Sequence, residues 1–364
     1  MFLNSLIVKK QNLLSLLRFY VCLVIMLPFY SFAQISQRVF LVGNSTTDQV
    51  NYLGLQSIAN QKGNSHIWSR SVVLGASLAF NWNNPNSAFK EDPYGYYPNA
   101  LANYEWDAIT LQPFNAPLDG DQGDIAMASN FINLAKIKSP NIQPFIYQRH
   151  CRIPNGMKWP SAPSSVSGVV ATASDWRKIW DGEFVQGAET RQVRSQYTTL
   201  TNALRAANLT SKPTNMIPVG EVMYNLNNKM DAGSVPGFTS IWDVYVDAGH
   251  FNNVGQFIVG ATFFATIYKQ DPRGLVVPGN YGTIPNAVRD TILNTIYQTV
   301  FSHSLSGTSF ADIVPVSSVS ISPKEFTLSF LQSTSLSAVV MPSNAGNKRI
   351  IWSSANTSVA LVND

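Results

Sequence analysis

The sequence predicts an α/β protein in three layers (α/β/α) around a parallel sheet, followed by a partial all-β domain. Short β-branched runs alternate with longer helical stretches from about residue 36 to residue 303, which predicts a parallel sheet covered by helices on both faces. From residue 314 onward, apolar residues recur at every second position, as in β-strands. The chain has 364 residues, 45% of them hydrophobic, so it can bury a sizeable core and is not intrinsically disordered.

Five apolar runs of strand length lie in the α/β part. Each is short, rich in β-branched or aromatic residues, and bounded by polar or turn-forming residues. The predicted strands are residues 38–42, 67–74, 108–111, 144–147 and 216–219. In parallel sheets, ligands bind at the carboxyl ends of the strands, so the residues just after these runs are the candidates for function.

Helical stretches and two long loops separate these strands. Apolar residues at helical spacing predict helices at residues 47–60, 125–138, 183–207, 254–269 and 286–301. Residues 81–99 and 151–174 are rich in Asn, Pro, Tyr or Ser and are predicted to be loops. Loops of that length are often functional.

The first 33 residues have the layout of a secretory signal peptide. Lys9, Lys10 and Arg18 precede the apolar residues 19–27, and residues 31–33 place Ser and Ala at the positions that a signal peptidase reads. An uncleaved membrane anchor is the alternative, but a charged residue and a proline interrupt the apolar stretch. We therefore expect an exported protein, secreted or on the cell surface, with no stable membrane insertion after cleavage.

Charge and cysteine content bear on other functional classes. Removing the three cations of the predicted signal lowers the formal net charge from +4 to +1, which does not suit a nucleic-acid binder. Cys22 leaves with the signal, and the bulky Val21 before it does not fit a lipoprotein cysteine. Cys151 then stands alone, which excludes an intrachain disulfide and favours a small buried hydrophobic residue over a nucleophile.

The strongest local motif is Gly43-Asn44-Ser45-Thr46-Thr47-Asp48, between the first predicted strand and the first predicted helix. A serine in such a turn exposes its hydroxyl at the edge of the sheet, beside the free N–H groups that begin a helix and can hold an oxyanion. The alternative is a plain helix cap, because Ser, Thr and Asp are preferred capping residues. The motif alone leaves both interpretations open.

A serine nucleophile needs a base, and the chain has only 4 histidines. His250 directly precedes a predicted helix, and Asp247 could hold one of its imidazole nitrogens while the other faces Ser45. The remaining histidines lie in a predicted strand, just after one, and at the end of the last helix: His66, His150 and His303. None of these spacings is typical of a zinc site.

This order of features resembles the SGNH (GDSL-like) hydrolase superfamily, in the branch with a Gly-Asn-Ser block. The first block corresponds to Gly43-Asn44-Ser45, the second to residues 73–77, and the last to Asp247 and His250. Further likeness comes from residues 106–112, 217–221 and 247–268. The resemblance spans about residues 39–268 and implies a flavodoxin-like sheet in a hydrolase domain at 36–303.

The resemblance also implies a Ser-His-Asp triad. Ser45 corresponds to the nucleophile, His250 to the base and Asp247 to the group that orients the base. The reaction implied is acyl transfer through the serine followed by hydrolysis, and it requires no metal or cofactor.

The oxyanion hole departs from the family pattern in one block. The N–H groups of Ser45 and Gly75 correspond to two of its donors. Where the family has Gly-x-Asn-Asp, this chain reads Leu-Gln-Pro-Phe-Asn at residues 111–115. Gln112 is therefore predicted to donate its amide to the oxyanion, with Asn115 as the other candidate.

Residues 314–364 follow a linker at 304–313 and resemble the bacterial Ig-like domain of group 2. The likeness rests on residues 320–323, 341–345 and 351–360. An Ig sandwich needs about seven strands, and this segment offers roughly four or five, so we expect the domain to continue past Asp364.

The predicted function is a secreted bacterial serine esterase that acts on O-acyl, in particular O-acetyl, esters of carbohydrates. Aromatic side chains can stack on sugar faces or pack in the core, and many lie in or beside the two long loops: Trp82, Tyr94, Tyr96, Tyr97, Trp159, Trp176 and Trp180. The alternatives are a small-ester or lipid acylhydrolase, and a catalytically idle glycan-binding surface protein.

Overall fold

The computed structural model describes residues 35–185, 193–329, 332–343, 345, 346, 348, 350 and 352–362. The predicted signal peptide, residues 1–33, lies outside this part of the chain. All described residues fall within one unit, Ile35–Asp364.

Five parallel strands form the central sheet: β1 Ser36–Gly43, β2 Ser65–Val72, β3 Ala108–Leu111, β4 Gln143–Tyr147 and β7 Asn215–Ile217. Their spatial order is β2-β1-β3-β4-β7, which is the flavodoxin-like order of a doubly wound sheet. The predicted α/β fold class is therefore confirmed. A separate small sheet pairs β5 Met157–Lys158 with β6 Val169–Val170.

Ten helices accompany these strands in the described part of the chain: α1 Ser45–Asp48, α2 Tyr52–Gln61, α3 Leu78–Asn83, α4 Tyr97–Asn103, α5 Asp124–Lys136, α6 Ala173–Trp180, α7 Arg194–Ala206, α8 Val219–Asp231, α9 Asn253–Tyr268 and α10 Asn286–Ser302. Short 3₁₀ turns occupy Pro85–Ser87, Ile241–Val244, Gly279–Tyr281 and Phe310–Asp312. One group of contacting helices consists of α2, α6, α8, α9 and α10, and a second consists of α3, α4, α5 and α7. The two groups form the outer layers of the α/β/α arrangement.

The sheet lies at the centre of the core. Val39, Phe40, Leu41 and Val42 of β1 are all fully buried, so both faces of this strand are covered. The register places Gly43 beside Val72 of β2, and Val42 beside Leu111 of β3. The carboxyl ends of these three neighbouring strands therefore meet at one edge of the sheet, where the site lies.

The five predicted strands are confirmed to within two residues at each end, but two predicted helices differ. The helix predicted at 47–60 is divided into α1 and α2 because Asn51 adopts a left-handed backbone (φ +53°), from which its side chain caps α2. The helix predicted at 183–207 begins only at Arg194; residues 183–185 are not helical and residues 186–192 lie outside the described residues.

Helix α8 is absent from the sequence prediction, which continued a strand through residue 219. The strand ends at Ile217 because Pro218 has no N–H to continue the ladder, and α8 starts directly after it. The two predicted long loops also contain regular structure: α3, α4 and α6 reach into their borders, and a 3₁₀ turn and the β5–β6 pair lie inside them.

The C-terminal segment contains one antiparallel pair, β8 Ser318–Ser322 and β9 Ser337–Met341. These strands match two runs in which apolar residues were predicted to alternate, at 319–322 and 336–340. A third such run, at 327–330, differs, because residues 327–329 are not in a strand. In the residues that the structure describes, no helix is both long enough and apolar enough to cross a bilayer.

Candidate active site

The turn between β1 and α1 presents the hydroxyl of Ser45. Asn44, not Ser45, caps the helix: its side-chain oxygen accepts from the Thr46 N–H at 3.0 Å. Its side-chain nitrogen donates to the Ala76 carbonyl oxygen at 2.9 Å, which binds this turn to the turn after β2. The interpretation of Ser45 as a plain cap is therefore wrong, and its hydroxyl is available for another partner.

Gly43 makes the tight exit from β1 possible. A Cβ atom at this position would overlap the hydroxyl of Thr47 and the side chain of Gln112. Glycine is therefore required by close packing beneath residues 44–47, which form the serine turn.

A short loop before α9, residues 245–251 (the base loop), carries His250, the predicted base. The Val246 N–H donates to the His250 carbonyl oxygen at 2.9 Å, which closes the loop. The Phe251 N–H donates to the side-chain oxygen of Gln49 at 2.7 Å, which joins this loop to the end of α1. No sequence motif indicated Gln49, because its partner lies far along the chain. Asn252 then caps α9 by accepting from two of its first N–H groups.

The structure brings Ser45, His250 and Asp247 into hydrogen-bonding contact. Nε2 of His250 lies 2.8 Å from Oγ of Ser45, and Nδ1 lies 2.7 Å from Oδ2 of Asp247. The second carboxylate oxygen of Asp247 accepts from the N–H groups of Gly249 and His250, at 2.7 and 2.8 Å. The side chains of His250 and Asp247 are 38% and 49% exposed, so a substrate could reach them.

The environment of Asp247 favours the ionised carboxylate. Partial burial acts to raise its pKa, but the hydrogen bonds from the Gly249 N–H and from His250 outweigh burial. The pKa of Asp247 therefore lies below its ordinary value of 3.8. An ionised carboxylate on Nδ1 fixes the imidazole tautomer in which Nε2 can accept the serine proton.

The two backbone N–H groups predicted to hold the oxyanion belong to Ser45 and Gly75. Gly75 occupies an exposed turn with a left-handed backbone (φ +71°), closed by a bond from the Ala76 N–H to the Val73 carbonyl oxygen at 3.1 Å. The Val73 N–H in turn donates to the Gly43 carbonyl oxygen at 3.2 Å, so this turn is attached to the end of β1. In the described part of the chain, the N–H groups of Ser45 and Gly75 have no acceptor. Their role as donors to a developing oxyanion stays a prediction.

Gln112 does not take the predicted position of an oxyanion donor. Its side chain is buried, and its amide nitrogen donates to the Pro113 carbonyl oxygen at 2.8 Å. Its amide oxygen accepts from the Asn44 N–H at 3.1 Å and from the hydroxyls of Thr46 and Thr47 at 2.9 and 3.2 Å. This geometry contradicts the prediction that Gln112 donates to the oxyanion. Gln112 instead anchors the serine turn from the protein interior, where all its hydrogen-bond partners lie.

Asn115, the other predicted amide donor, lies in the loop after β3. Its backbone is left-handed (φ +47°), a conformation that asparagine adopts more readily than most residues. Its side chain is exposed. A role for Asn115 at the oxyanion stays a prediction.

The remaining histidines lie elsewhere in the fold. Nδ1 of His66 contacts the Tyr268 hydroxyl at 3.0 Å, and burial lowers the pKa of His66 to about 4. His303 accepts from the Leu305 N–H at 3.2 Å, and His150 is buried behind the base loop. Among the described residues, no three His, Cys, Asp or Glu side chains are arranged to hold a metal ion.

Three of the aromatic residues considered for either sugar stacking or core packing belong to the core. Trp176, Trp180 and Tyr97 are buried, so they are not available to a ligand. Four others are only partly buried: Trp82, Tyr94, Tyr96 and Trp159. The two tryptophans of α6 are covered because they lie on its apolar face, against α8.

Comparisons with known proteins cover both parts of the chain. Residues 315–364 match the family of bacterial Ig-like domains (group 2). No curated protein matches the sequence.

Three solved structures similar to this chain cover 63–73% of it. A DUF4886 family protein from Bacteroides uniformis shares 16% identity over 73% of this chain and 95% of that chain, with a TM-score of 0.48. A possible lipase from Chitinophaga pinensis shares 10% identity over 64% and 98% of the two chains, with a TM-score of 0.35. A putative GDSL-like lipase from Parabacteroides merdae shares 11% identity over 63% and 94%, with a TM-score of 0.33. By its own sheet order and its matched C-terminal segment, this chain joins a flavodoxin-like α/β part to a bacterial Ig-like domain of group 2.

Proposed function

We propose that the chain is an exported serine esterase that hydrolyses O-acyl, in particular O-acetyl, esters of carbohydrates. The observation that carries this proposal is the continuous series of hydrogen bonds from Asp247 through His250 to Ser45. A partly exposed His–Asp pair adds little to stability. Chemistry is therefore the better account of why the three side chains meet.

The geometry supports a two-step acyl transfer. His250 accepts the hydroxyl proton of Ser45 as Oγ attacks the ester carbonyl carbon, and the N–H groups of Ser45 and Gly75 hold the resulting oxyanion. The imidazolium then protonates the leaving alcohol, which departs as the acyl-enzyme forms. In the second step His250 accepts a proton from water as the water oxygen attacks the acyl carbonyl carbon, and the imidazolium then returns the proton to Oγ of Ser45 as the acid is released.

Three features support an extracellular polymer as the substrate. The N-terminal layout predicts export, the chain carries an Ig-like domain, and the triad is open to solvent at the edge of the sheet. A triad that is this exposed suits an ester on the surface of a bulky carbohydrate.

The test measures acetate released from p-nitrophenyl acetate and from acetylated xylan. Ser45→Ala removes only the hydroxyl and should abolish release, whereas Ser57→Ala, on α2 outside the site, is the matched control and should retain it. A higher rate on acetylated xylan supports the carbohydrate substrate, and a rate confined to p-nitrophenyl acetate favours a small-ester hydrolase.

Equal, negligible release by the wild type and Ser45→Ala would contradict the proposed activity on these substrates. Labelling with a serine-directed phosphonate then separates the alternatives. Labelling of Ser45 would indicate an esterase for another ester, and absence of labelling would favour the glycan-binding alternative.

A further inference from the structure

His150 is a buried histidine that the proposed reaction does not use. It follows the end of β4 and is fully buried. Its Nε2 lies 2.7 Å from the carbonyl oxygen of Gly249. Because a carbonyl oxygen can only accept, Nε2 carries the proton and donates.

The ring of His150 is held on its other sides by aromatic packing. Its centre lies 3.9 Å from the ring centre of Phe251 and 5.6 Å from that of Tyr245. Within the described residues, Nδ1 has no hydrogen-bond partner. The bond to Gly249 is therefore the directional contact of this side chain.

The peptide group that accepts this bond joins Gly249 to His250 and so adjoins the proposed triad. Its carbonyl belongs to Gly249 and its N–H belongs to His250, and that N–H donates to Oδ1 of Asp247 at 2.8 Å. One planar peptide is thus held at its oxygen by His150 and at its nitrogen by the carboxylate. Hydrogen bonds at the two ends of a peptide also polarise and strengthen each other.

We propose that His150 is a positioning residue for the triad, which it orients through the Gly249–His250 peptide. If the peptide rotates, Oδ1 of Asp247 loses one of its two backbone donors, and the carboxylate is held less firmly against the His250 ring. The proposal rests on the esterase function proposed above.

The electrostatic environment keeps His150 in the form that this role requires. Burial, with the neighbouring Arg149 as a further cause, lowers the pKa of His150 well below its ordinary value of 6.5. The neutral ring has a single N–H, and that N–H points to Gly249.

Other contacts hold the base loop in place without His150. The Ile153 N–H donates to the Ala248 carbonyl oxygen, and the Tyr245 hydroxyl donates to the Cys151 carbonyl oxygen, both at 2.8 Å. Loss of the His150 bond should therefore change the orientation of one peptide and leave the loop attached.

The experiment compares three variants by esterase kinetics and thermal unfolding. His150→Leu keeps apolar volume and removes the donor. His150→Gln restores a donor, because the glutamine amide nitrogen is separated from Cβ by the same number of bonds as Nε2 of histidine. Thr262→Val is the matched control, since it removes a buried hydrogen bond, from the Thr262 hydroxyl to the Ile258 carbonyl oxygen within α9, that touches neither the base loop nor the Gly249–His250 peptide.

We expect His150→Leu to lower kcat by about 100-fold, the size expected for a misplacement of about 1 Å, with KM changed less than about threefold. His150→Gln should recover most of that loss, and Thr262→Val should keep kcat within about threefold of the wild type. The proposal is overturned if folded His150→Leu keeps its kcat, if folded His150→Gln recovers none, or if Thr262→Val loses as much. Lack of Ser45-dependent turnover in the wild type would instead contradict the proposed function itself.

Discussion

Gln112→Leu distinguishes an anchor of the serine turn from a donor to the oxyanion. The substitution removes an amide oxygen that accepts from the Asn44 N–H and from the hydroxyls of Thr46 and Thr47. Thr46 can still donate to the Asn44 side chain at 2.8 Å. The other two donors would stay buried without an acceptor.

The expected loss follows from these two orphaned donors. Each costs about 1–3 kcal/mol, and the apolar leucine offsets part of this, so the free energy of unfolding should fall by about 2–4 kcal/mol. For a domain of this size, about 2–4 °C per kcal/mol gives a decrease in Tm of roughly 4–16 °C. Thermal unfolding followed by circular dichroism measures this decrease, and p-nitrophenyl acetate turnover is measured on the same samples below Tm.

Gln143→Leu is the matched control for this prediction. Gln143 also donates to the carbonyl oxygen of the proline that follows it, at 3.0 Å, but it lies at the start of β4, away from the site. Its Tm should fall by no more than a few degrees. The reasoning is refuted if Gln112→Leu keeps the wild-type Tm while kcat falls by about 100- to 1000-fold, because that is the effect of losing an oxyanion donor alone.

Three further predictions concern charged groups. Asp247→Asn should lower kcat by about three to four powers of ten, because an amide does not fix the required tautomer of His250. Burial raises the pKa of Asp124 to about 8. The folded state therefore retains a proton that the unfolded state releases above about pH 4. The free energy of unfolding should fall as pH rises toward 8, by at most about 1.4 kcal/mol per pH unit. Asp124→Asn should remove this dependence in Tm measured from pH 5 to pH 8. Arg149→Met should keep or raise Tm, because the buried guanidinium packs on Phe114 and has no hydrogen-bond partner among the described residues.

Each of these has an outcome that would contradict it. Near-normal kcat in Asp247→Asn would show that the carboxylate does not orient the base. Parallel pH profiles of Tm for the wild type and Asp124→Asn would show that Asp124 is ionised in the fold. A large drop in Tm for Arg149→Met would show that an interaction other than packing on Phe114 stabilises the buried guanidinium.

Local sequence patterns predicted the strands and the components of the site. The β1 run and the Gly-Asn-Ser turn were recognisable because strand composition and turn residues act over a few positions. The Asp247–His250 pair was predicted because its members lie three positions apart and because it follows Ser45 in the order that resembles the SGNH hydrolases. The same locality explains the errors: Asn51 divides a helix whose apolar spacing continues across it, and a strand was predicted past Pro218.

The sequence by itself determined the α/β alternation, the position of Ser45 after a buried strand, and the pairing of His250 with Asp247. Only the tertiary structure decided that Ser45 and His250 meet across 205 positions, with Gln49 joining their two loops. It also decided that the Gln112 amide faces inward to the serine turn and that His150 binds the peptide before the base. The physical reason is that the neighbouring sequence sets the backbone conformation of a residue. The hydrogen-bond partner of a buried amide or imidazole depends instead on which distant elements pack around it.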